Sequence, residues 1–168
     1  MRGLKLLAGL LAILALSGCS DVFFRQPYRV VLEPNQLGYE VDDQGKITVV
    51  GNEAYVEVNP GAPGGRLERY EYVVLDGSGN PVLPGILVGS GDVGVEVPPG
   101  REEVGGQVVY RAQRSQTFRF GLDATAAVEH LNQGSPPGWR YRVTWYVRTS
   151  NGQVVSWEQE YQIKHPQQ

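Results

Sequence analysis

Two alternating stretches near the end of the chain constrain its fold more than any other feature. In WRYRVTWYVRT (139–149) and QVVSWEQEYQIK (153–164), apolar and polar side chains alternate with a period of two. That period is typical of a half-buried β-strand. Ser150, Asn151 and Gly152 separate the two stretches, and a short loop with Asn and Gly predicts a β-hairpin.

The length of the connecting loop decides which side chains share a face of this hairpin. A two-residue Asn151-Gly152 turn would set Val147 against Ser156 and mix the two faces. A three-residue loop with a left-handed Gly152 keeps aromatic and charged residues apart, so the hydrophobic pattern favours it. The pairs that it predicts are Trp145 with Trp157, Tyr141 with Tyr161, and Arg142 with Glu160.

The rest of the chain after residue 27 predicts many short strands joined by tight turns. The 22 glycines and 11 prolines of the whole chain are spread along it, and after residue 27 they interrupt stretches rich in valine and tyrosine. One helix is predicted over 124–133, with Asp123 as its N-cap and Gly134 at its end. The further predicted strands are 28–33, 46–51, 54–60, 66–76, 81–88 (at an edge or bent), 92–98, 106–112 and 117–122.

This pattern resembles the immunoglobulin-like or fibronectin-III-like sandwich over residues 28–164. The resemblance implies an all-β fold, an immunoglobulin-like β-sandwich of about seven to nine strands with one short helix, preceded by an N-terminal signal helix. The Cys…Trp…Cys signature of antibody domains does not occur in the sequence. A small β-barrel is the alternative architecture.

The first twenty residues carry a different pattern. Arg2 and Lys5 precede an apolar run over residues 6–16. Because about 20 residues are needed to span a bilayer core, this run is too short for an ordinary spanning helix. A charged start, a short apolar centre and small residues at the end are typical of a secretory signal. The only cysteine of the chain, Cys19, follows directly.

Leu16, Ser17, Gly18 and Cys19 together resemble the lipobox of bacterial lipoproteins. In that family a diacylglycerol is attached to the Cys thiol, and a peptidase that recognises the three preceding residues cuts before it. A plain signal peptide with a chance cysteine and an uncleaved anchor are the alternatives. The resemblance implies a signal peptide at 1–18, a lipidated tether at 19–27 and a β-sandwich domain at 28–165.

The lipoprotein resemblance also predicts where the protein resides. The protein is expected outside the cytoplasm, anchored in a membrane through the lipid on Cys19. By the sorting rule of that family, Ser20 favours the outer membrane if the envelope has two membranes.

The net charge of the chain without its signal is negative. Removing Arg2 and Lys5 from the 15 basic residues leaves 13 against 18 acidic ones, a net charge of −5. This balance argues against a nucleic-acid partner.

The sequence shows no pattern of catalytic or metal-binding residues. His130 and His165 are its only histidines, neither has a second ligand at metal-binding spacing, and both are predicted to be exposed. Nucleophile-elbow, phosphate-loop and dinucleotide-binding motifs do not occur. DGSGN (76–80) lacks the distal glutamate of a calcium loop and is interpreted as a hairpin turn. We therefore predict no enzyme activity, no cofactor and no metal.

Three functions remain open at this point. The first is a non-enzymatic binding or scaffolding module whose partner is another envelope protein or a glycan. The second is a polysaccharide- or peptidoglycan-binding lipoprotein. Trp139, Tyr146 and Tyr55 are the aromatic residues expected nearest the surface and form its possible ligand surface. The third, which has the least support, is an envelope hydrolase.

Overall fold

A computed structural model describes residues 26–164, which consist mostly of antiparallel strands with one short helix and confirm the all-β prediction. The predicted signal helix, its residues Leu16, Ser17 and Gly18, the lipidation site Cys19, and His165 lie outside the described residues. The elements are β1 (Tyr28–Glu33), β2 (Tyr39–Val41), β3 (Ile47–Val49), β4 (Gly51–Val58), β5 (Gly65–Leu75), β6 (Val88–Val97), β7 (Arg101–Val104), β8 (Gln107–Tyr110), β9 (Gln113–Arg114), β10 (Phe118–Gly121), α1 (Ala124–Asn132), β11 (Arg140–Thr149) and β12 (Val154–Gln162).

Eight strands of the described part form two four-stranded antiparallel sheets. In the first sheet, β4 lies between β1 and β10, and the short β9 also pairs with β4. The second sheet has the order β12–β11–β5–β6. The other four strands form two separate hairpins, β2–β3 and β7–β8. The eight strands of the two sheets agree with the predicted seven to nine, and the two hairpins add four short strands.

The inner faces of the two sheets pack against each other around an aromatic core. The ring centroids of Tyr28 on β1 and Trp157 on β12 lie 5.6 Å apart. Those of Phe120 on β10 and Trp145 on β11 lie 4.9 Å apart. Each pair joins one sheet to the other, which is the arrangement of a β-sandwich. Alternate residues of β1, β4 and β11 point into this core, as the period of two requires.

The final hairpin has the predicted register. Trp145 pairs with Trp157 across the strands, and Gly152 has a φ of 85° in the three-residue loop. Arg142 pairs with Glu160 on the outer face, where its Nη2 lies 2.8 Å from a carboxylate oxygen. The second sheet therefore presents aromatic residues to the core and opposite charges to water.

The helix also agrees with its prediction. A carboxylate oxygen of Asp123 accepts a hydrogen bond of 2.8 Å from the Thr125 N–H, which caps the N-terminus. At the other end Gly134 has a φ of 78°, and its N–H donates to the Leu131 carbonyl. The Ser135 N–H donates to the His130 carbonyl at 2.8 Å, which completes a Schellman motif.

One predicted strand is wrong. Residues 81–87 form turns after a single bridge between Leu75 and Pro81, and β6 begins only at Val88. Proline cannot donate a backbone hydrogen bond to a neighbouring strand. Leu83 and Gly85 have φ values of 45° and 82°, which lie outside the extended region.

Candidate functional site

The three aromatic residues predicted as a ligand surface do not lie together. Trp139 is only 4% exposed, so its expected position at the surface is wrong. Its ring packs 5.1 Å from that of His130 on α1, because the helix covers the segment that precedes β11. Tyr146 and Tyr55 are half-buried on the outer faces of β11 and β4, which belong to opposite sheets. No common aromatic platform results from these three residues.

Tyr146 is engaged by side chains of its own sheet. Its hydroxyl donates a hydrogen bond of 2.8 Å to a carboxylate oxygen of Glu71. The guanidinium carbon of Arg69 lies 3.8 Å from the centre of its ring. The hydrogen bond from Arg69 is the largest cause of a lowered pKa of the Glu71 carboxyl, and the one from Tyr146 is the next largest. These contacts use the hydroxyl and one face of the ring, which a bound sugar would also need.

His130 is buried, so the prediction that it is exposed is wrong. It has 0% exposure, and its Nε2 lies 3.0 Å from the Pro136 carbonyl oxygen. Because a carbonyl only accepts, Nε2 carries the hydrogen and donates it. Nδ1 lies 2.8 Å from the Tyr39 hydroxyl, within hydrogen-bond distance. That hydroxyl also lies 3.2 Å from Ser135 Oγ, so His130 belongs to a buried polar network.

A signal for this burial was present in the sequence. His130 follows Ala126 and Ala127 at helical spacings of four and three, and these two alanines form the apolar face of α1. Since residues at those spacings share a face, the histidine follows the alanines into the core. The local neighbours alone did not identify Tyr39, because it lies on a distant hairpin.

An open groove of about 690 Å³ lies at one end of the sandwich. Three connections meet there: the one between β4 and β5, the one between β6 and β7, and the loop between β11 and β12. Sequence reasoning did not find this groove, because these segments are far apart in the chain. Its charged side chains and its one aromatic side chain are Arg66, Glu68, Glu96, Arg101, Arg148 and Tyr110.

Glycines form the floor of the groove. A Cβ on Gly65 would lie 2.2 Å from the carbonyl oxygen of Arg148, so only glycine allows β5 to approach β11 this closely. A Cβ on Gly64 would lie 3.0 Å from the Pro99 side chain. PGAPGG (60–65) and PPG (98–100) were the sequence signals for this close packing. The recess exists because backbone replaces side chains at its base.

The charges of the groove are mostly paired but leave a positive balance. Arg66 lies 3.1 Å from Glu96, and Arg148 lies 2.7 Å from Glu68. Both pairs are exposed, so each stabilises the fold by less than about 1 kcal/mol. Among residues 26–164, no carboxylate lies within ion-pair distance of Arg101. The three arginines therefore outnumber the two glutamates, and the unbalanced positive charge is that of Arg101.

Comparisons with known proteins add no family to this description. The chain matches no protein-family model, and no curated protein matches it significantly in sequence. In the part of the chain that the structure describes, no three His, Cys, Asp or Glu side chains are grouped so that they could hold a metal ion. Over the same residues, no helix has the length and apolar character needed to cross a bilayer.

Proposed function

We propose that this protein is a lipid-anchored envelope protein that binds another envelope protein, without catalysis, through the groove at the end of its sandwich. The observation that carries this proposal is the groove itself, with three arginines around a glycine floor and an exposed Tyr110. Arginine and tyrosine are enriched at protein interfaces, where they supply much of the binding energy. The charged side chains of the groove and Tyr110 lie outside the hydrophobic core, so a partner can contact them without disturbing it.

The anchor is supported by the lipobox resemblance at Leu16-Ser17-Gly18-Cys19. Gln26, the first described residue, follows Cys19 by seven positions. Seven extended residues reach at most about 25 Å. A lipid on Cys19 would therefore hold the sandwich close to the membrane, where a membrane-associated partner is within reach.

Two observations support a binding role over the alternatives. His130 is held by Tyr39 and Pro136 inside the fold, so it is not placed to act as a general base on a substrate. The burial of Trp139 removes one of the three members of the aromatic surface on which the polysaccharide-binding alternative depends. That alternative and the hydrolase keep less support than a protein-binding module.

The anchor is tested by the intact mass of the protein purified from its own membrane. We expect the mass of residues 19–168 plus acyl chains, and we expect Cys19→Ala to lose this lipid and leave the membrane. Ser20→Ala is the matched control, since it changes the neighbouring residue and keeps the thiol. An unmodified wild-type mass would contradict the anchor.

The groove is tested by a photo-cross-linking amino acid placed at Tyr110 in cells. We expect an adduct with one envelope protein that is lost when Arg101→Glu reverses a groove charge. The same probe at Tyr55 is the control, because that position lies on the outer face of the first sheet and should not give this adduct. Equal adducts at both positions would argue against the groove, and adducts with glycan alone would favour the polysaccharide-binding alternative.

A further inference from the structure

The β7–β8 hairpin extends from the sandwich with apolar side chains in water. Val104 is 51% exposed and Val108 is 56% exposed, although both are large apolar residues. The two strands pair only with each other among the described elements. Gly105 and Gly106, with φ values of 59° and 79°, form the tip between them. Exposed apolar residues on a projecting hairpin are typical of a contact surface.

The chain enters the fold beside the loop that follows β4. The Asn59 side-chain amide donates a hydrogen bond of 2.6 Å to the Gln26 carbonyl. The Asn59 backbone N–H donates one of 2.9 Å to the Pro27 carbonyl. Two bonds from one residue therefore hold Gln26 and Pro27, the first described residues, beside this loop.

The root of the hairpin is fixed to the same loop. The Gly100 N–H donates to the Ala62 carbonyl, and the Gly100 carbonyl accepts from the Gly61 N–H, both at 2.9 Å. A Cβ on Gly100 would lie 2.0 Å from the Asn59 carbonyl oxygen, so the two segments are in direct contact. The entry of the chain and the root of the hairpin thus lie at one end of the sandwich, both in contact with Asn59.

We propose that the tip of the β7–β8 hairpin, at Val104 and Val108, inserts into the headgroup region of the membrane that holds the lipid anchor. This inference rests on the proposed lipid on Cys19. The tether of at most about 25 Å leaves from the hairpin's own end of the sandwich. Strands of four residues extend about 14 Å, which brings the tip toward the bilayer.

The charges of the hairpin allow this contact. Glu102 lies 2.7 Å from Arg111 in an ion pair, and Glu103 pairs across the strands with Val108, next to the tip. Arg101 and Arg111 together equal these two carboxylates in charge. The hairpin therefore has no net charge that anionic lipids would repel. Two valines give only a weak contact by themselves. The lipid anchor makes it persistent, because a short tether keeps the tip at a high effective concentration near the surface.

The opposite end of the sandwich provides a matched control. Ile86 is 63% exposed in the connection between β5 and β6, beside another exposed residue, Val88. The eleven residues of β5 separate this connection from the groove end by about 35 Å. Ile86 is thus as exposed and as apolar as Val104 but faces away from the chain entry.

The test uses the full, acylated protein in vesicles of phosphatidylethanolamine and phosphatidylglycerol. Val104→Cys and Ile86→Cys each carry a nitroxide on the introduced thiol, because acylation blocks Cys19. We expect the label at 104 to collide with oxygen dissolved in the bilayer and to be protected from a water-soluble nickel chelate. We expect the label at 86 to be fully accessible to the chelate. Both positions are exposed, so neither substitution disturbs the core.

Three other results would overturn the inference in distinguishable ways. Equal access of the chelate to both labels, with the acyl mass intact, would overturn the hairpin contact and leave the anchor standing. Protection at 104 in native membranes but not in vesicles would show that a protein covers the tip instead. Two labels per chain would show that the Cys19 thiol is free, which removes the proposed anchor and this inference together.

Discussion

Replacing Trp145 with alanine will lower the free energy of unfolding by about 3–5 kcal/mol. The side chain is fully buried on β11, and its ring centroid lies 5.5 Å from that of Tyr70 and 4.9 Å from that of Phe120. Phe120 belongs to the opposite sheet, so the substitution removes packing between the sheets and leaves a cavity. Domains are stable by about 5–15 kcal/mol, and a loss of this size is a large part of that total.

Urea unfolding followed by circular dichroism measures this loss. The control is Tyr146→Ala, because residue 146 is the next one on β11 and points to the outer face. We expect the control to cost about 1 kcal/mol, since it removes one exposed hydrogen bond and one contact with an arginine. Equal losses for the two variants would contradict a core that lies between the sheets.

Raising the pH above 10 will progressively destabilise the protein. Burial raises the pKa of Tyr28 to about 12 and also raises the pKa values of Tyr141 and Tyr161. A tyrosine in the unfolded chain loses its proton near pH 10. Above that pH the native state binds more protons than the unfolded state, so the free energy of unfolding falls as pH rises.

The size of this effect follows from these three tyrosines. Each one lowers the free energy of unfolding by about 1.4 kcal/mol per pH unit between its unfolded and its native pKa. The three together lower it by about 4 kcal/mol per unit in the window from about pH 10 to about pH 12. Below pH 10 their contribution to stability is complete.

A pH titration that follows circular dichroism and tyrosinate absorbance together checks this prediction. We expect tyrosinate from the buried residues to appear only as the fold is lost. Tyr161→Phe should move the unfolding midpoint to higher pH, because unfolding then releases one proton fewer. The substitution also removes a hydrogen bond to the Val30 carbonyl, but at 3.3 Å this bond is long and its loss costs little stability. Ionisation of all tyrosines within an intact fold would contradict the assignment.

Much of the fold was predictable from short-range patterns. The register of the final hairpin followed from the alternation of aromatic and charged residues, together with one glycine that accepts a left-handed φ. The helix boundaries followed from the capping residue Asp123 and from Gly134. These features depend on contacts between residues close in sequence or paired across one loop, so the local chemistry was sufficient.

The candidate site was not predictable in the same way. The aromatic residues chosen from the sequence were judged by strand alternation, which does not say what covers a segment. Trp139 is buried because α1 packs over it, and Tyr55 and Tyr146 are separated because their strands belong to different sheets. The groove depends on three connections that meet only after both sheets have formed.

Asn52 shows the same division within a single strand. It occupies an inward position of β4, in line with Ala54 and Val56, where the alternation of the strand predicts an apolar side chain. Its side-chain amide donates hydrogen bonds of 2.6 and 2.7 Å to the carbonyls of Pro34 and Gln36. A buried amide is tolerated where it satisfies backbone groups of a loop, and that loop is known only from the tertiary structure.

By itself the sequence determined the all-β class, the register of the last hairpin, the limits of the helix and the resemblance to a lipoprotein signal around Cys19. Each of these depends on the backbone preferences and the hydrophobic period of a few neighbouring residues. The tertiary structure alone decided that His130 is buried, that glycines open a groove among arginines, and that the chain enters beside the β7–β8 hairpin. These depend on contacts between segments far apart in the chain, which form only when the two sheets pack together.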